Sequence, residues 1–172
     1  MAVKTASVAL DGTNLRFLAR SGSGHSIVLD DGRGDTGPRP AELIPMALAG
    51  CTAMDVISIL RKKRQEVTRY EVRAEGVQME DHPNAFSRIN VVHVVEGPAI
   101  DVDALRRAIE LSATKYCSVG ATLSSGMTEI HHAYLVRDGA GLEQTAEVLV
   151  LGPGADPAAT AAEAPAAAAA AG

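Results

Sequence analysis

The chain has 172 residues and is 47% apolar but only 3% aromatic, with no Trp, which suits one domain with an aliphatic core. The formal net charge is −5, and the densest cationic run, Arg61-Lys62-Lys63-Arg64, falls where a helix should end and offsets its dipole. Without basic clusters elsewhere, nucleic acid is excluded as the main partner.

Residues 2–10 and 14–20 alternate as strands around an Asp11-Gly12 turn, and 26–30 reads as a third short strand. The loop 31–40, DGRGDTGPRP, is turn-rich, and its Arg33-Gly34-Asp35 reads as a Gly-containing turn rather than an adhesion signal. A long helix follows. Pro40 fits its first turn, and Pro45 either marks its true start or breaks it. No residue from 43 to 54 is charged, so this helix should be covered by protein on nearly every side. A second copy of the chain is the economical cover, which implies a homodimer.

Residues 67–79 and 85–95 read as two long strands joined by Asp81-His82-Pro83-Asn84. Asp101 or Asp103 can cap an amphipathic helix through Leu105, Ile109 and Leu111. A short helix is expected near Cys117, and a strand over 127–137. The order is βββ-α-ββ-α-β, an α+β fold. The domain is placed at 1–138 and a flexible Ala/Pro-rich extension at 139–172, in which 146–151 could still pair as an edge strand. No uncharged apolar run reaches the ~18 residues of a membrane span, and the N-terminus lacks a signal-peptide apolar region. A cytoplasmic protein with no membrane partner is therefore expected. There, two cysteines are not expected to form a permanent structural disulfide.

Cys51 lies among small residues, Ala47-Leu48-Ala49-Gly50-Cys51-Thr52-Ala53, which leave room around sulfur. Cys117 lies in Lys115-Tyr116-Cys117-Ser118-Val119-Gly120. If a helix starts there, its N-terminal dipole would favour a thiolate, with Lys115 assisting. Without a CxxC the pair does not read as a zinc site, and no metal or cofactor is expected. Set against this, free cysteines are commonly buried and inert.

Pro40-Ala41-Glu42-Leu43, then Ala49-Gly50-Cys51, then Tyr116-Cys117-Ser118-Val119 resemble the motifs of the OsmC/Ohr family, over about residues 3–137. The resemblance implies an intertwined homodimer in which mixed and antiparallel sheets wrap central helices. It also implies a thiol-dependent peroxidase. Cys51 would attack an organic hydroperoxide and become a sulfenic acid, Cys117 would close a disulfide with it, and an external thiol or dithiol would reduce the pair. The family activates its first cysteine with an arginine and a glutamate. That glutamate sits one position earlier than Glu42, where this chain has Ala41. On an unbroken helix the nine residues from Glu42 turn through ~900° and put it opposite Cys51. Arg16, Arg20, Arg33 and Arg39 are the arginine candidates, the last three favoured for their place around the entry loop. Asp55, one turn after Cys51, could disfavour a thiolate or hold an arginine in place.

Two other readings stand beside the peroxidase: a dimeric binding or redox-sensing protein with little turnover, and a structural dimer whose thiols lie apart. His131 and His132 are strand neighbours facing opposite sides and do not share an ion. His25 and His93 read as surface or sheet-face residues. Gly120 and Gly126 read as packing and capping residues around the short helix.

Overall fold

The computed structural model describes residues 3–153. The chain divides into two compact units, Met1–Ile44 and Pro45–Gly172. In the first, β1 (Ala6–Leu10), β2 (Phe17–Ser21) and β3 (Ser26–Leu29) form an antiparallel sheet in that order. Leu10 pairs with Phe17 and Phe17 with Leu29. Gly12 at φ 96° supplies the left-handed backbone of the first turn, and the Asp11 N–H donates to the Arg16 carbonyl at 2.9 Å. After β3, buried Asp30 organises the loop by accepting from the backbone N–H groups of Asp31 and Thr36 and from the Thr36 hydroxyl. A 3₁₀ turn at Pro40–Glu42 leads into α1.

The second unit is built on a mixed sheet of order β4-β5-β6-β7: β4 (Arg69–Gln78), β5 (Phe86–Glu96), β6 (Glu129–Arg137) and β7 (Glu143–Leu151). The outer pairs are antiparallel, and β5 and β6 run parallel. A parallel pair needs a crossover. Here it comprises α2 (Val102–Leu111), a π-helical turn (Ser112–Tyr116) and α3 (Ser118–Ser124). Asp101 caps α2, accepting from the backbone N–H groups of Asp103 at 2.9 Å and Ala104 at 3.2 Å.

Alternation selects the covered sheet face: Ile89, Val91, His93 and Val95 on β5, and Ile130, His132, Tyr134 and Val136 on β6, are all buried. Against this face α1 (Leu43–Lys62) lays Leu48, Thr52, Val56 and Leu60, a stripe at four-residue spacing. α2 adds Ala104, Leu105, Ala108 and Ile109. Val56, Leu60, Leu105, Ile109 and Tyr134 share one core cluster; Leu48, Ile89, Val91, Cys117 and Ile130 share another. Each fully buried aliphatic side chain contributes about 1.5–3 kcal/mol.

The α+β class and the central helix match the sequence reading, and three details differ. The short helix expected near Cys117 is α3, but it is joined to α2 by a π turn rather than by a loop. Strand β7 falls inside the segment assigned to a flexible extension, which moves the ordered sheet to Leu151. Its Ala146, Val148 and Leu149 pack onto the first cluster, which is why it stays paired. The Ala/Pro-rich residues 154–172 lie outside the described residues. Third, α1 is buried along one stripe only within a single chain. Its opposite face carries Met46 (57% exposed), Gly50 and Met54 (75% exposed), and a Cβ on Gly50 would meet nothing within 4 Å. By length and composition Pro40–Lys62 is apolar enough to cross a membrane, and within the single chain its Leu48-Thr52-Val56-Leu60 stripe is buried.

Candidate functional site

Cys51 and Asp55 are one turn apart on α1, so both side chains lie on one face, each half-buried. Cys117 sits at the joint between the π turn and α3. The extra residue of that turn is visible in its closing bond, from the Cys117 N–H to the Ser112 carbonyl at 2.8 Å. Cys117 then takes extended backbone (φ −71°, ψ 98°), and its sulfur accepts from the Gly120 N–H at 3.2 Å. The two sulfurs and one Asp55 carboxylate oxygen all lie within 4.8 Å of one another, and both cysteines are free thiols.

A buried polar relay orients the carboxylate. The Ser112 hydroxyl is 3.0 Å from Asp55 Oδ2 and 3.0 Å from the Thr52 hydroxyl. It has one proton. Given to Asp55, that proton leaves the Ser112 oxygen free to accept from Thr52. Among the described residues of this unit, no Lys, Arg or His nitrogen lies within 4.0 Å of Asp55. Within this unit the carboxylate is therefore held by the Ser112 hydroxyl and has no ion-pair partner.

This environment opposes ionisation of Cys117. Burial is the largest cause, and the nearby Cys51 and Asp55 add to it. Together they outweigh the Gly120 N–H, and the thiol is pushed up to about 12. The helix-terminus activation expected from sequence is thus overridden: the helix has only seven residues and the sulfur is almost wholly out of water. Lys115 points elsewhere, its ammonium 5.5 Å from the Tyr116 ring centroid.

The other residues singled out from sequence lie in the first unit. Arg39 and Glu42 hold each other: the Arg39 guanidinium is 3.3 Å from Glu42 Oε1, and its backbone N–H donates to Glu42 Oε2 at 2.8 Å. Arg39 also pairs with Asp35 at 3.6 Å. Arg20 is exposed on β2 between Ser7 and Ser26. Arg33 is exposed in the loop, with its backbone N–H donated to Asp31.

Sequence reasoning missed a buried aromatic stack. The Tyr70 hydroxyl is 2.8 Å from His93 Nδ1, and the Tyr70–His93 and His93–His132 ring centroids are 6.1 and 6.0 Å apart. His93 was read as a surface or sheet-face residue; it is on the sheet face but fully buried. The period-two pattern through Val91, His93 and Val95 is the signal that places it inward. Buried His93 Nε2 and His132 Nδ1 have no hydrogen-bond partner. Burial first, then each one's charged histidine neighbour, holds His93 well below its ordinary range and His132 down to about 4.

Unfolded, both histidines take up protons near 6.5; folded, His132 does so only near 4. Their stabilising contribution is therefore complete above pH 6.5 and falls as pH drops from 6.5 towards 4. Each contributes a slope of about 1.4 kcal/mol per pH unit inside that window. Urea unfolding at pH 7 and pH 5 measures it. His132→Leu should remove about half of the slope, and an unchanged slope would exclude His132 as a source.

The model of the family described as OsmC-like protein matches residues 32–149. Protein YhfA of Escherichia coli strain K12 is 43% identical over 122 residues, covering 71% of this chain and 90% of that protein. The crystal structure of a hypothetical protein from Aquifex aeolicus VF5 superposes with a TM-score of 0.70 at 30% identity, covering 79% of this chain and 97% of that one. An organic hydroperoxide resistance protein from Elizabethkingia anophelis shares the fold, with a TM-score of 0.54 at 14% identity over 81% of this chain and 98% of that one. With a family model spanning most of its length and a 43% identical relative covered almost end to end, the chain belongs to the OsmC family.

Proposed function

We propose that this protein is a cytoplasmic, homodimeric thiol peroxidase that reduces organic hydroperoxides to alcohols. The observation that carries the reading is the proximity of the two free sulfurs, one half-buried and one buried, from cysteines 66 residues apart. In the first step the Cys51 thiolate attacks the outer oxygen of ROOH. The O–O bond breaks, ROH leaves with a proton, and sulfur keeps oxygen as Cys51–SOH. The Cys117 thiol then attacks Cys51 sulfur, and the hydroxyl leaves with the Cys117 proton as water. An external dithiol reduces the disulfide and is itself oxidised. Two thiols kept reduced between turnovers fit a reducing compartment. The dimer is supported by the uncovered Met46, Gly50 and Met54 face of α1, where glycine permits close helix approach.

The test is turnover of tert-butyl or cumene hydroperoxide with a dithiol as reductant. Consumption beyond one equivalent per chain that depends on the dithiol is the expected result. A second reading, a redox-sensing or binding protein with little turnover, is favoured by Asp55, whose carboxylate adds to burial and Cys51 in pushing the Cys117 thiol up. A single oxidation with no further cycles is its signature.

A further inference from the structure

We infer that the reduced Cys51–Asp55–Cys117 cluster is a binding site for a soft divalent cation of the zinc and cadmium class. Sequence spacing hides it, because the cysteines are 66 residues apart and the third ligand is a carboxylate. The fold assembles what spacing does not. Two sulfurs and one carboxylate oxygen lie within 4.8 Å of one another, two of them on successive turns of α1 and the third on the α3 cap. Tetrahedral zinc holds sulfur at about 2.3 Å, which places two sulfur ligands about 3.8 Å apart. The three ligand atoms, all within 4.8 Å of one another, already lie near that spacing.

Two further observations point to a cation rather than to an inert trio. Asp55 has no basic side chain within 4.0 Å among the described residues of its unit, so no ion pair there occupies its carboxylate oxygens. Its carboxylate is also already oriented by the fully buried Ser112 hydroxyl at 3.0 Å, the kind of outer contact that fixes metal-ligating carboxylates. Three protein ligands leave the fourth position to solvent. Half-buried Cys51 and Asp55 give the ion its way in. Binding exchanges two thiol protons for one M²⁺. The protons pass to the buffer, and sulfur is neither oxidised nor reduced. Metal and disulfide are mutually exclusive, since both use the same two sulfurs.

The inference does not depend on peroxidase turnover, and its test contains no hydroperoxide. The full chain, reduced with a phosphine, is titrated with Cd²⁺ while the ultraviolet sulfur-to-cadmium absorption and released protons are followed. One ion per chain with two protons released is expected, and the bound ion should protect both thiols from alkylation. The Cys51–Cys117 disulfide form should bind none. Cys117→Ser should lose most of the absorption, and Asp55→Asn should weaken binding more than Asp55→Glu does. Ser112→Ala should cost about 10-fold or more. The inference is overturned if no sulfur-to-cadmium band develops, if the disulfide form binds equally, or if Asp55→Asn binds as the parent does. If a variant fails to fold, stoichiometry and alkylation protection of the parent protein decide alone.

Discussion

Cys51→Ser is expected to reduce hydroperoxide consumption to the uncatalysed background, whereas Cys117→Ser should consume one equivalent per chain and stop. The asymmetry follows from burial. Cys51 is half-buried and within reach of a small hydroperoxide, while Cys117 is only 3% exposed. Burial and the neighbouring Cys51 push the Cys117 thiol up, which disfavours the thiolate needed to initiate attack. Cys117 enters only in the second step, when its sulfur bonds to Cys51 and the sulfenic hydroxyl leaves with the Cys117 proton as water. In Cys117→Ser that step is lost, so a dimedone probe should label Cys51. Labelling of Cys117 in the parent with Cys51 silent would reverse the assignment. The absence of any label at excess hydroperoxide would favour the binding reading.

Replacing both Met46 and Met54 with Lys should convert a dimer into a monomer. The two methionines lie opposite the Leu48-Thr52-Val56-Leu60 stripe, so the substitutions leave the sheet contacts of α1 intact. In a two-fold interface each lysine would appear twice, and like charges would be brought together where apolar area is otherwise removed from water. An obligate interface of ~2,000 Å² or more does not tolerate four such charges. Light scattering at micromolar concentration should give twice the chain mass for the parent and one chain mass for the variant, with a lower melting temperature for the variant. A monomeric parent would refute the dimer, and a dimeric variant would remove α1 from the interface.

What could be read from sequence was whatever depended on short-range pattern. The uncharged run at 43–54 announces a central helix, Asp11-Gly12 a hairpin, and Asp101 a cap. These depend on neighbours a few positions apart, where propensity and periodicity act directly. The missed features depend on distant partners. Strand β7, expected only as a possible edge strand over 146–151, is polar at its start and is held by its pairing with β6 and by the packing of Ala146, Val148 and Leu149. No local signal marks Ser112–Tyr116 as a π turn, yet that turn brings the Ser112 hydroxyl to Asp55. The Cys51–Asp55–Cys117 trio likewise exists only in three dimensions. Asp55 stood out as one turn from Cys51, but its lack of a cation could not be seen from the chain alone.

The parallel ladder between β5 and β6 has a consequence for the protein during its synthesis. Arg88 pairs with Glu129 and Glu96 with Arg137, so the ladder cannot begin until the whole crossover, Cys117 included, has been made. At about 5–20 residues per second, the 66 residues added after Cys51, up to and including Cys117, take several seconds to translate. Through that interval Cys51 is a solitary thiol on a nascent apolar helix whose sheet is unfinished. On the proposed peroxidase chemistry, an oxidant arriving then would meet a cysteine with no second sulfur to close onto, and oxidation beyond the sulfenic state would be open to it.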